Sequence, residues 1–159
     1  MDKVPFTFSG LEKIKLELDN LKKIERPKVI QAISVAREHG DLKENAEYHA
    51  AKEKQAFIEG RITELEDVTS RSEVIDLSRL SGETVTFGAK VKIIDEENDQ
   101  ETKYQIVGPY EANLEEGLIS VASPIAKAMI GKEEGMSVAV TTPSGTKHYE
   151  ILSIEITKS

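Results

Sequence analysis

The chain has no cysteine and no tryptophan. The first absence excludes disulfides and thiolate metal sites and suits a reducing, cytoplasmic setting. Aromatic residues are scarce, with four Phe and four Tyr among 159 residues. That is too little to line a typical apolar ligand pocket. No apolar run approaches the ~18 residues of a membrane span and no secretory signal pattern is present, so a soluble protein with no membrane partner is expected. A basic excess is missing too. Net charge is −8, with 16 acids against 13 bases in residues 1–76 and 13 against 8 in residues 77–159. Neither half is an electropositive sleeve, which argues against tight autonomous binding to DNA or RNA.

What is abundant is charge, at 31% of residues beside 38% hydrophobic. That balance suits an elongated helical element better than one compact globule. Ser9 and Glu12 form a capping-box pattern, expected to start a helix. Leu11, Ile14, Leu18 and Leu21 then recur at 3-4-3 spacing, and the stripe resumes at Val29, Ala32, Ile33 and Ala36. Pro27 interrupts it and predicts a bend, because the pattern continues beyond. Gly40 permits a left-handed turn. A second helix is expected from about Lys43 to Arg71, with Ala46, Ala50, Phe57, Ile58, Ile62, Leu65 and Val68 on its inner face. Folding back at Gly40–Leu42 pairs Ala36 with Ala46, Ile33 with Ala50 and Leu18 with Leu65. About 30 residues per arm at ~1.5 Å each make an antiparallel hairpin roughly 45 Å long.

Beyond Asp76 the period becomes alternating. Strands are expected at Thr84–Ile94, Glu101–Val107, Leu118–Val121, Met136–Thr142 and Lys147–Ile156, with a polar turn at 96–99. A short helix is expected over Pro124–Ile130, with Ser123 as its cap and Gly131 at its end. The fold class is therefore a two-domain α+β chain: residues 1–76 form an antiparallel coiled-coil hairpin with an acidic tip near 40–45, and residues 77–159 a compact antiparallel β-sheet unit with a short helix.

The tip carries the chemistry. Asp41 and Glu44 stand three residues apart at an expected helix start, where Asp41 would cap the helix and Glu44 complement its dipole. The same two acids could serve a metal. Mg²⁺ wants six oxygens, so two exposed carboxylates cannot hold it alone. They could complete a site half built by a partner and orient or deprotonate a water there. His39 and His49 lack zinc-ligand spacing and read as polar flank residues. Arg37, Lys43, Lys52 and Lys54 form a small basic cluster, readable as solvated charge or as phosphate contacts to a single strand. Ser123 and Pro124 read as capping chemistry, and no nucleophile elbow, P-loop or dinucleotide fingerprint is present.

The run from Ala36 through Gly40-Asp41-Leu42-Lys43-Glu44-Asn45-Ala46-Glu47-Tyr48 to Ala51 resembles the tip signature of the Gre family of bacterial transcription elongation (transcript cleavage) factors. Val107-Gly108, Ile119-Ser120, Ser123-Pro124-Ile125-Ala126 and Ile130-Gly131-Lys132 resemble its C-terminal signature, so the likeness covers essentially the whole chain. The resemblance implies a coiled coil that enters the secondary channel of a backtracked bacterial RNA polymerase. The catalytic candidates Asp41 and Glu44 would help the polymerase hold a second Mg²⁺ and a water, and the polymerase's own centre would cut the extruded 3′ RNA. It also implies an FKBP-like C-terminal domain that grips the channel rim on the largest catalytic subunit through Ser123, Pro124 and Ile125. Arg37, Lys43 and Lys52 would meet the nascent RNA 3′ end. Lysine at 52 departs from the arginine of some relatives and offers a point charge instead of a planar fork. The protein is expected to act as a monomer and as a cofactor of the polymerase, not as an enzyme. The alternatives are a non-cleaving inhibitor of the same channel and a stand-alone peptidyl-prolyl isomerase, the latter disfavoured by the shortage of aromatic residues.

Overall fold

The computed structural model describes residues 2–157. The chain divides into two compact units, Met1–Leu11 with Ser72–Ser159, and Glu12–Arg71. The expected division into residues 1–76 and 77–159 therefore differs at two places: residues 1–11 and 72–76 belong with the second half. The cause is a strand pair invisible to local patterning. Strand β1 (Val4–Phe6) runs parallel to β2 (Ser72–Val74), with Val4 opposite Ser72 and Phe6 opposite Val74. Phe6 is fully buried, its carbonyl accepts from Ile75 N at 3.0 Å, and a Cβ on Gly108 would land on the Pro5 carbonyl oxygen.

Helix α1 (Phe8–Asn20) starts two residues earlier than expected, and Ser9 is not its cap. Thr7 is: its Oγ1 accepts from Gly10 N at 3.0 Å. The acid that reaches back to the cap is not Glu12 but Glu111, which accepts Thr7 N at 2.6 Å and Thr7 Oγ1 at 2.7 Å. The reciprocal logic of a capping box is kept. Its carboxylate comes from 104 residues away.

In the helical unit, α1 passes into a π-helical turn (Leu21–Glu25) and then α2 (Arg26–Arg37). Pro27 is the second residue of α2 and, lacking an N–H, gives no hydrogen bond back to the π-turn before it. The chain stays helical across the proline, and the wider π-turn just before it accommodates the ring that a regular helix would crowd. Helix α3 (Ala46–Ser70) returns antiparallel. Arg61 donates from Nε and Nη2 to the two carboxylate oxygens of Glu17 at 2.8 and 3.0 Å, and Arg26 does the same to Glu59 at 2.7 and 2.9 Å. The Arg26 guanidinium holds the Glu59 carboxyl below its ordinary range, chiefly through that hydrogen bond.

The buried stripe is Ile14, Leu21, Val29, Ile33 and Ala36 facing Ala51, Ile58, Ile62, Leu65 and Val68. Leu18 is only half-buried, and Ala32, Ala46, Ala50 and Phe57 are exposed, Phe57 at 72%. On α3 the seam steps 51-58-62-65, and residues one position earlier sit about 100° round the helix. Ala51 therefore takes the place expected of Ala50.

The other unit holds a five-stranded sheet in the order β5-β4-β3-β7-β6, from β3 (Ala89–Asp95), β4 (Glu101–Val107), β5 (Leu118–Ser120), β6 (Ser137–Thr142) and β7 (Gly145–Ile156). Its pairings are antiparallel except β4 with β5, which run parallel over three residues. Residues 84–88, expected to begin a strand, form turn and irregular backbone. Val85, Val91, Ile93, Ile106 and Ile151 make the core with Met129 of the short helix α4 (Pro124–Met129).

Candidate functional site

The end of α2 is made by tightening. Glu38, His39 and Gly40 donate their N–H groups to Val35, Ala36 and Arg37 carbonyls, each at 3.2 Å. Gly40 then takes φ +97°, a left-handed value that only glycine adopts cheaply, and turns the chain back. Residues 41–44 are irregular, and α3 begins only after them, three residues later than expected. Its cap is Asn45, whose Oδ1 accepts from Tyr48 N at 3.1 Å. Asp41 does not cap α3. Its Oδ1 accepts from Lys43 N at 3.0 Å and closes an Asx turn inside the loop. Asp41 and Glu44 are thus presented by loop backbone and not by i,i+3 helix geometry.

Both carboxylates are exposed. Among the described residues Glu44 makes no hydrogen bond or ion pair, and Asp41 keeps its second oxygen uncommitted. Charge is arranged differently along the hairpin. The part near residues 12–26 and 59–71 is laced by ion pairs, including Lys22–Glu66, Arg26–Glu59, Arg61–Glu17 and Arg71–Asp67. Between residues 27 and 58 no ion pair is present among the described residues. Arg37 and Lys52 line one shallow cleft of about 320 Å³ with Ile30, Ile33, Ser34 and Gln55, and Lys52 Nζ donates to Gln55 Oε1 at 3.3 Å. The structure therefore brings Arg37 and Lys52 together across the arms. Lys43 stays in the loop instead, where its carbonyl meets His49 Nε2 at 3.0 Å.

Oxygen donors of this kind suit Mg²⁺, but two carboxylates fill only part of its shell. No group of three or more His, Cys, Asp or Glu stands where it could hold one metal ion among the described residues. Ser123, Pro124 and Ile125 lie in the sheet unit. Ser123 Oγ accepts from Ala126 N at 3.4 Å and donates to Ser120 O at 2.7 Å, Pro124 is exposed at the first helical position, and half-buried Ile125 packs on the core. No helix among the described residues is long and apolar enough to cross a membrane.

Asn45 is the residue that sequence patterning missed. Its type fits a cap as well as Asp41 does. Its position, three residues before Tyr48 and after the irregular Leu42–Glu44, is the sign that separates them.

Two family descriptions match the chain: "Transcription elongation factor, N-terminal" over residues 4–74 and "Transcription elongation factor, GreA/GreB, C-term" over residues 80–156. Transcription elongation factor GreA of Rhodospirillum rubrum is 60% identical over 154 residues, covering 97% of this chain and 98% of the relative. That of Ruegeria pomeroyi is 59% identical over 155 residues, covering 98% and 99%. Among solved structures, the GreA factor homolog Gfh1 of Thermus thermophilus is 29% identical, covers 96% of this chain and 99% of its own, and has a TM-score of 0.44. On the two family matches and the relatives together, the chain belongs to the GreA/GreB family of transcription elongation factors.

Proposed function

We propose that the chain enters the secondary channel of a backtracked bacterial RNA polymerase as a monomer and brings Asp41 and Glu44 to the polymerase's own catalytic centre. The polymerase then cleaves the extruded 3′ RNA, and the chain is its cytoplasmic cofactor rather than an enzyme. The proposal rests on one observation: two exposed carboxylates sit in a side-chain-tied turn between the arms of a helical hairpin and have almost no partners of their own.

Two carboxylates supply acceptor oxygens and negative charge, and nothing that alone breaks a phosphodiester. Asp41 and Glu44 would hold the attacking water and accept its hydrogen bonds, and they would fill part of a Mg²⁺ shell shared with the polymerase. The ion supplies Lewis-acid activation of water and phosphate oxygen when bound. Arg37 and Lys52, which have no carboxylate partner among the described residues and face one cleft, would take phosphates of the 3′ RNA segment, with Lys43 beside the acids. Ser123, Pro124 and Ile125 would grip the channel rim on the largest subunit.

Stalled elongation complexes with a 3′-extruded RNA test this directly. Transcripts should shorten only when polymerase, Mg²⁺ and this chain are combined. Inhibition without shortening would overturn cleavage in favour of a channel blocker. For the grip, Pro124→Ala should weaken polymerase binding by up to about tenfold, as expected of an interface anchor. Unchanged affinity in a competition titration would remove Pro124 from the interface.

A further inference from the structure

The loop that presents Asp41 and Glu44 has no backbone–backbone hydrogen bond to residues 41–44 among the described residues. Side chains hold it instead. Asn45 spans both arms: its Nδ2 donates to Ala36 O, in the last turn of α2, at 2.8 Å, while its Oδ1 caps α3. His49, one turn into α3, points Nε2 at the Lys43 carbonyl at 3.0 Å. A carbonyl can only accept, so that nitrogen carries the proton. With Asp41 Oδ1 on Lys43 N, the middle residue of the loop is fixed at both its N–H and its C=O. The His49 ring is in turn braced edge-on by Tyr48, with centroids 5.6 Å apart.

We propose that Asn45 and His49 are positioning residues, which fix the 41–44 backbone and so set the direction in which the Asp41 and Glu44 carboxylates are presented. This rests on the role proposed above for the two acids. An exposed four-residue loop without such ties samples many backbone states. A group that must meet both a metal and a water loses much of its effect when misplaced by about 1 Å. The ties therefore act on the chemical step and not on entry into the polymerase, whose determinants lie elsewhere on the chain.

The test uses the full-length chain. Asn45→Ser keeps an oxygen that caps α3 but cannot reach Ala36 O. His49→Phe keeps a ring beside Tyr48 but removes the donor. Each variant is titrated against backtracked complexes to separate maximal cleavage rate from half-saturating concentration, and amide hydrogen exchange is read at residues 41–45 of the free protein. We expect faster exchange at Lys43 and a maximal rate lower by roughly ten- to a hundredfold, at an unchanged half-saturating concentration. Full maximal rate, or a loss confined to the half-saturating concentration, would overturn positioning. So would unchanged exchange in both variants. Asp41→Asn with Glu44→Gln separates the two levels: if that protein is inactive while Asn45→Ser and His49→Phe cleave at the full rate, only the positioning inference fails. If it cleaves like the parent, the role of the acids fails with it.

Discussion

Asp41→Asn combined with Glu44→Gln should reduce transcript shortening by at least ~100-fold, the usual span of a lost acid–base or water-orienting group. Competition for the polymerase should persist. The reasons are local. Neither side chain supports the fold: Glu44 has no partner among the described residues, and Asp41 gives one oxygen to a loop N–H that an asparagine oxygen can also satisfy. The two amides keep size and hydrogen-bonding capacity while removing two negative charges. A stability change is not expected, so thermal melts of parent and variant should superimpose. If the doubly substituted chain still shortens transcripts at the parental rate, metal delivery by this loop is wrong whatever else the hairpin does.

Gly108→Ala should destabilise the sheet unit by about 3 kcal/mol, at the upper end of overpacking effects. An added Cβ would fall on the Pro5 carbonyl oxygen, which belongs to β1 backbone and cannot swing aside like a flexible side chain. Either β1 leaves β2 or the segment after β4 moves. Both options disturb Phe6, which is fully buried, and the Thr7–Glu111 hydrogen bonds that anchor the start of α1. For a unit of about 100 residues that loss corresponds to a fall in Tm on the order of 10–20 °C. Differential scanning calorimetry reads it, and a melt indistinguishable from the parent's would show that the strand pair tolerates the extra methyl.

Much of this architecture could be read before the structure, because periodicity is a local property. The 3-4 recurrence from Leu11 to Ala36 marks the buried seam of the first arm except at Leu18 and Ala32, and Glu101–Val107 is a strand with the expected ends. The misses have specific causes. On α3, alanines stand at 46, 50, 51 and 56, so composition cannot choose the seam, and only the seven-residue step from Ala51 to Ile58 to Leu65 does. Phe57 misleads because an exposed aromatic breaks the rule that bulk goes inside. At the tip, Asp41 and Asn45 are equally good caps by type. Four irregular residues decide between them, and irregularity leaves no period. Thr7–Glu111 and β1–β2 were beyond reach for a different reason: both join segments far apart in the chain, one side of each being too short to carry a pattern.

The strap formed by the first residues also dictates an order of events. Val4–Phe6 leaves the ribosome long before Ser72–Val74 and longer still before Glu111, so it must wait unpaired while the whole hairpin is made. The hairpin between them needs only its own neighbours and closes early, as contacts near in sequence do. The Val4–Phe6 strand is therefore secured only after the hairpin has closed. Damage to its anchor would harm the newly made chain sooner than the finished one.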